Sequence, residues 1–203
     1  MIKILNHPLI EKDLTCLRDK NSSCADFRSS LNRIGKLLVF EATSDIKLKE
    51  VEIETPMEKT KGKVFDNDII ILPIMRAGLG LLNAFTEIIP EAKIGLIGLK
   101  RDETSFSTSE YYYSMPPAKN PIVIILEIMI ATGGSTCDTI SRLQLDGYDN
   151  IKVAAVVSAP EGLEKIKTNF PKVDVITACM DRELDDKKYI LPGLGDAGDR
   201  FCG

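Results

Sequence analysis

Four short stretches of this chain join small, flexible residues to charged ones in a way that suits a ligand carrying phosphate. The first is Ala131 to Thr136, ATGGST, at the end of the apolar run IVIILEIMI. Alanine and glycine let a backbone approach an anion closely. Ser135 and Thr136 are placed to cap a following helix, whose amide end attracts phosphate. The stretch has no lysine and no G-x-x-x-x-G-K spacing, so it is not a Walker loop; a phosphate monoester suits it. Glu127, read at the exit of the same strand, offers a carboxylate to ribose hydroxyls. Either feature alone is weak, since an acid leaving a strand is usually just solvated, but the pair is specific.

The second stretch is RAGLG, Arg76 to Gly80. Its glycines do not make a dinucleotide fingerprint, because Asn83 stands where a third Gly or Ala belongs. It reads either as a tight turn with a surface arginine, or as a loop whose amides and forked Arg76 guanidinium meet phosphate oxygens. The third, KRDETS, places Arg101 directly after another apolar run and opens a polar excursion through FSTSEYYYSMPP, Phe106 to Pro117. A polar excursion of that length is a surface loop or, in a compact domain, a lid; Tyr111, Tyr112 and Tyr113 fit a β-ribbon within it. The fourth is YILPGLGDAGDRFCG, Tyr189 to Gly203, with four glycines alternating with Asp196 and Asp199. So many glycines and a proline argue against regular structure and for a backbone shaped around something. The one histidine, His7, lies far from these motifs and reads as structural.

The elements that must position these turns follow from hydrophobic patterning. Ile69–Met75, Lys93–Leu99, Ile122–Leu126 and Val153–Val157 are nearly all apolar, as strands of a parallel sheet covered on both faces are. Helices fit between them over Leu79–Ile89, Thr136–Leu145 and Gly162–Phe170. Strand alternating with helix predicts an α/β doubly wound domain, with ligands beyond the carboxyl ends of the strands. Upstream, Phe27, Leu31, Ile34 and Leu38 recur at helical spacing after the possible caps Ser22 and Ser23. Val51–Thr55 alternates like a half-buried strand.

Composition sets the outer bounds. The 203 residues are 44% hydrophobic and 28% charged, enough for one domain with a sizeable core. A net charge of -4 gives no basic footprint for nucleic acid. Five cysteines without a C-x-x-C pair fit reduced thiols in a cytoplasmic protein. No run approaches the ~18 apolar residues of a membrane span, and the first apolar run is too short for a signal peptide.

Taken together, the motifs resemble the uracil phosphoribosyltransferase family. The resemblance runs from HPLIEKDLTCLRDK through FR, FEAT, PIMRAGLG, RDETS, YYYSMPP and MIATGGS to PGLGDAGDR, nearly the whole chain. It implies a type I phosphoribosyltransferase fold in one domain over residues 1–203: a central parallel sheet flanked by helices, a hood over the base site and a mobile β-ribbon loop. It also implies transfer of phosphoribose from its 1-diphosphate to uracil in pyrimidine salvage. Magnesium would arrive on the diphosphate without direct protein ligands. The expected assembly is a homodimer or a set of dimers in the cytoplasm, with GTP binding and no nucleic acid or membrane partner.

Residue by residue, the resemblance sets Arg76 and Arg101 on the diphosphate. It sets Glu127, Ile128, Met129, Ile130, Ala131, Thr132, Gly133, Gly134 and Ser135 on the sugar diphosphate, with Ala131 to Ser135 around the 5-phosphate. Ile190, Gly195, Asp196 and Ala197 match the uracil site, and Asp196 also reaches the sugar diphosphate. Arg101, Glu127 and Asp196 are the expected catalytic residues. Glu127-Ile128 replaces the family's usual Asp-Pro, and Ser114-Met115 replaces Lys-Leu before Pro116. Those departures leave a catalytically weakened phosphoribosyl-binding regulator as the alternative; a purine transferase is disfavoured by GDAGDR.

Overall fold

Strands apolar on both faces need cover on both faces, and the computed structural model of the chain provides it with helices above and below one sheet. The structure describes residues 1–101 and 108–203, with Arg101 and Thr108 described by backbone alone. The polar excursion after Arg101 therefore lies, over 102–107, outside the described residues.

The first half of the chain contains β1 (Ile2–Ile4), α1 (Pro8–Arg18), α2 (Cys24–Ala42), β2 (Leu48–Glu54), β3 (Lys59–Phe65), β4 (Ile69–Met75) and α3 (Leu79–Ile88). Next come β5 (Lys93–Ile94), β6 (Leu96–Arg101), β7 (Thr108–Ser114), β8 (Ile122–Ile130) and α4 (Gly134–Leu145). The remainder is β9 (Ile151–Ser158), α5 (Pro160–Asn169), β10 (Asp174–Met180), β11 (Glu183–Leu184), β12 (Ile190–Leu191) and α6 (Ala197–Cys202). The main sheet has eight strands in the order β1-β10-β9-β8-β4-β6-β7, with β5 beside β4. All neighbours are parallel except β7, which runs antiparallel to β6.

Two apolar layers sandwich the sheet. On one side Phe27, Leu31, Ile34, Leu38, Leu81 and Phe85 of α2 and α3 meet Ile124, Leu126 and Ile128. On the other, Ile140 and Leu143 of α4 and Leu163 and Ile166 of α5 meet Val123, Ile125 and Val153. At the sheet's far edge Arg142 of α4 stacks 4.4 Å over the ring of Tyr113, tying β7 to that layer.

Several expectations are corrected by tertiary context. The upstream helical region is two helices; Ser23 caps α2 by accepting from the Asp26 amide, whereas Ser22 donates to the Cys16 carbonyl. Val51 to Glu54 belong to β2, mostly exposed and paired with β3 as a separate two-stranded hairpin rather than half-buried, and Thr55 opens its turn. Lys93–Leu99 is broken at Gly95, where a Cβ would press on Met115 and Leu72. Tyr111, Tyr112 and Tyr113 lie in β7, which pairs antiparallel with β6 as a ribbon at the edge of the main sheet. The glycine-rich C-terminal segment contains a short strand and helix α6, because Asp196 caps a turn in which only Gly198 weakens helix formation. His7 is structural: its ring accepts from the Leu9 amide and caps α1. Among the described residues no helix is long and apolar enough to cross a membrane.

The contact of α2 with α3 depends on Gly35, where a Cβ would lie 2.6 Å from that of Ala84. Gly35→Ala gains up to about 1 kcal/mol of helix propensity but overpacks at about 1–3 kcal/mol. The expected net result is a lower melting temperature, measured by calorimetry; a higher one would show that the two helices can move apart freely.

Candidate active site

β4 and β8 lie side by side with Ile69 to Pro73 in parallel register against Ile122 to Leu126. From β4 the chain winds through α3 toward β6, whereas from β8 it winds through α4 toward β9 and β10. The crevice where the winding direction reverses is the usual ligand position in such sheets. Arg76 follows β4 there, joined by a cis Met75–Arg76 peptide bond. Residues 131–134 follow β8. β6 delivers the backbone of Arg101 to the same rim, beyond Gly98, the partner of Met75. The Arg101 side chain lies outside what is described.

The turn after β8 is an amide nest. Gly133 adopts a left-handed φ of 71° and begins α4 with no side-chain cap. Ser135 and Thr136 thus lie inside the helix instead of capping it, because glycine takes the left-handed position that a side chain disfavours. Cys137 is the first residue whose amide turns back, 2.9 Å from the Gly133 carbonyl. The Gly134 amide donates weakly to the Thr132 hydroxyl at 3.4 Å, and those of Ser135 and Thr136 form the open amide end of α4, where the helix dipole favours an anion. Gly133 also packs on Gly162 of α5, where a Cβ on either glycine would collide with the other's backbone neighbourhood.

RAGLG is arranged differently from the anion loop considered above. The amides of Gly78, Leu79 and Gly80 donate to the carbonyls of Ile74, Arg76 and Ala77 at 2.9, 3.2 and 2.9 Å. Gly78 is pressed on the Leu126 carbonyl and Gly80 on Leu31, Ile128 and Phe201. These glycines allow close packing, and the group offered at the rim is the Arg76 guanidinium. It is exposed and 3.2 Å from Asp199 of α6. Asp196, also exposed, accepts from the Asp199 amide at 2.9 Å.

Beside the nest lies a cavity of about 240 Å³ lined by Met129, Ala131, Lys188, Tyr189, Ile190, Pro192, Gly193, Leu194 and Gly195. The Leu191–Pro192 bond is cis, and Gly193 and Gly195 have φ of 64° and 76°. The structure thus brings Met129 and Ala131 of one predicted group together with Ile190 and Gly195 of the other. Ala197 is fully buried behind this wall, and Ile128 and Ile130 are core residues that can face a ligand only through backbone. Sequence reasoning missed Lys188, Tyr189, Pro192, Gly193 and Leu194 as lining residues. The aspartate-glycine alternation drew attention to the segment, but nothing local marked which residues face inward. It also missed Asp199 as the partner of Arg76.

A parallel sheet bearing an anion nest and an arginine at adjacent strand ends defines a phosphoribosyltransferase fold. A hypoxanthine-guanine phosphoribosyltransferase from Bacillus anthracis shares that fold with a TM-score of 0.54, at 13% identity over 78% of this chain and 80% of its own. The chain belongs to the uracil phosphoribosyltransferase family, whose sequence model matches residues 4–203. Uracil phosphoribosyltransferases from Mycoplasma mobile and Dictyoglomus thermophilum are 44% and 45% identical to it, each over 100% of this chain and 99% of theirs. A solved protein structure from Aquifex aeolicus has a TM-score of 0.93 at 37% identity, covering 99% of this chain and 97% of that one.

Glu127 does not stand at the strand exit expected of it, because β8 runs on to Ile130. It lies within β8, opposite Ala155 of β9, and is 8% exposed. Burial pushes its carboxyl up to about 8, and the Ile128 amide offsets this only in part. Its folded pKa is above its unfolded one, so the folded state holds the proton more tightly. Stability from this group is present below the ordinary glutamate range and is lost as pH rises toward 8. Relative to Glu127→Gln, the wild-type unfolding free energy should fall by up to about 1.4 kcal/mol per pH unit across that window. Denaturant unfolding of both proteins at several pH values checks this; parallel curves would show an unperturbed carboxyl.

Proposed function

We propose that the protein transfers the 5-phosphoribosyl group from 5-phospho-α-D-ribose 1-diphosphate to uracil, giving uridine monophosphate and diphosphate. The observation that carries this reading is one wall with two uses. Met129 and Ala131 lie at the end of the strand that feeds the amide nest, and they also line the cavity walled by the 188–195 turn. A phosphorylated sugar held in the nest therefore has its reactive carbon close to a base held in the cavity.

Breaking the bond from ribose C1 to the diphosphate builds positive charge on the sugar and negative charge on the departing oxygens. Catalysis gains most from fixed charge placed where this develops. Arg76 is suited to the diphosphate because its exposed pair with Asp199 is weak and exchangeable. Arg101 ends the neighbouring strand on the same rim. The nest at Gly133 to Thr136 holds the 5-phosphate and so fixes the sugar. As the bond from C1 to the diphosphate oxygen breaks, uracil N1 forms the new bond to C1 and its proton passes to solvent, with no nucleophile required from the protein.

Among the described residues no three His, Cys, Asp or Glu side chains are grouped to hold a metal ion. Magnesium keeps several waters and uses one or two carboxylates with phosphate oxygens, so exposed Asp196 and Asp199 fit an ion bound to the diphosphate. When bound, magnesium would offset the charge of the leaving group. Base choice rests on main-chain groups of the 190–195 turn. Cytosine reverses two of the hydrogen-bonding groups on uracil's edge, and such unpaired mismatches discriminate by up to ~10⁴.

Incubating the purified protein with labelled uracil, the sugar diphosphate and magnesium should give labelled uridine monophosphate, with cytosine at least about a hundredfold poorer. Failure to form product, or equal use of cytosine, would overturn the assignment.

A homodimer belongs to the same proposal. The β2–β3 hairpin pairs with no other strand among the described residues. It exposes Leu48, Ile53 and Val64, with Met57 at its turn 90% exposed. An isolated hairpin is marginal in water, and exposed apolar residues on it fit burial against a second copy. Light scattering should report a dimer, and Met57→Asp with Ile53→Asp should shift it to monomer; a monomeric wild type would remove the dimer from the proposal.

A further inference from the structure

Residues outside the cavity hold the Gly193–Leu194 main chain by its own polar groups. Asp181, just after β10, accepts from the Gly193 amide at 2.9 Å. Arg18, at the end of α1, donates to the Gly193 carbonyl at 2.8 Å. The two side chains also form a forked pair with each other, at 2.6 and 2.9 Å. Arg200 of α6 adds a third hold, donating to the Leu194 carbonyl at 2.8 Å and to the carbonyls of Leu17 and Asp19. The Asp181 side chain is only 3% exposed, and its amide is fixed 2.8 Å from the Ser158 carbonyl at the end of β9.

None of these side chains lines the cavity, and no part of the proposed chemistry uses them. Yet their partner atoms belong to the residues that form its wall. Leu194 is packed in the core, but Gly193 and Gly195 on either side of it have no side chains to fix them, so the main-chain directions at Gly193 depend on what grips it from behind. We propose that Arg18 and Asp181 are positioning residues for the base, fixing Gly193 so that the adjoining main chain presents one set of donors and acceptors to uracil. The inference rests on the cavity being the uracil site.

The charges support this arrangement. Burial alone would raise Asp181, but Arg18 and the Gly193 amide overcome it and hold its carboxyl below the ordinary range. Asp181 therefore stays ionised and keeps accepting from both partners at neutral pH. Arg18 cannot be replaced by lysine without losing the planar fork that spans Asp181 and Gly193 together.

The test is steady-state kinetics on Asp181→Asn and Arg18→Lys, with uracil and the sugar diphosphate varied separately. Losing a hydrogen bond to a buried charge should raise the KM for uracil roughly tenfold or more. The KM for the sugar diphosphate should change little, since the amide nest is untouched. Discrimination against cytosine should fall in the same variants, and Asp181→Glu should recover part of both. The double variant should lose about as much as Asp181→Asn alone, because the two residues act as one unit.

Arg18→Lys keeps the positive charge beside Asp181, so it carries the test if Asp181→Asn fails to fold. An unchanged uracil KM, or equal rises in both KM values, in a variant that melts cooperatively would overturn the inference. If the wild type itself forms no uridine monophosphate, the functional assignment fails instead, and the two failures are distinct.

Discussion

The pairing of β4 with β8 is the constraint from which the rest of the site follows. Their parallel register sets Pro73 beside Leu126, and immediately afterwards the two chains part. Gly78 can then fold back on the Leu126 carbonyl and start α3, with Arg76 two residues before it at the strand end. β8 continues to Ile130 and releases the nest. Both strands are buried on both faces, so a register slip would disturb two apolar layers at once. The positions of the arginine and of the nest therefore depend on the core, and on very little at the rim itself.

Buried charge is treated differently at the two ends of the sheet and inside it. Lys152, at the amino end of β9, is 6% exposed and is paired with Asp45 and the Ala42 carbonyl. That pair depresses Asp45, chiefly through the hydrogen bond from Lys152. Asp181, near the carboxyl end, is paired with Arg18. Glu127 sits in β8 beside β9 with no cation among the described residues to offset its burial, and its carboxyl rises accordingly. Breaking a buried pair costs far more than the pair contributes, so the first two sites are satisfied parts of the structure. The burial of Glu127 within the sheet sets it apart from the strand-exit carboxylate that the sequence led one to expect.

How much could be read beforehand follows from the range of each interaction. The apolar runs at Ile69–Met75 and Ile122–Leu126 announced buried strands because double-sided burial leaves a local signature. ATGGST announced a close backbone approach for the same reason. The detail inside it was lost: Ser135 and Thr136 are good caps by type, but Gly133 takes the left-handed turn and moves the helix start upstream. Val51–Thr55 alternates as a half-buried strand would, and nothing within five residues tells a hairpin standing apart from one packed on a core. DVITACM, now β10, mixes Asp, Thr and Cys with apolar residues and reads as a strand only once β9 and β1 lie on either side of it. Arg18 and Asp181 are 163 positions apart, and neither type nor spacing connects them.

In the proposed assignment, the same reasoning explains why the base site is built from two layers. A main chain that reads a base directly must lack bulky side chains, and glycine supplies this at a cost of roughly 0.5–1 kcal/mol each in lost freedom on folding. Without its hydrogen bonds to Asp181 and Arg18, Gly193 would be held only by the packing of Leu194 and Ile190 beside it. A hydrogen bond to a charged partner contributes about 1.5–3 kcal/mol. The three that Asp181, Arg18 and Arg200 make to Gly193 and Leu194 together outweigh the cost of the two glycines. Rigidity at Gly193 and Leu194 is thereby supplied by α1, by α6 and by Asp181 just after β10, from outside the cavity that Gly193 and Leu194 line. Arginine suits this use because its donors are fixed in one plane and its charge does not titrate, so the wall keeps one geometry throughout the pH range in which Asp181 is ionised.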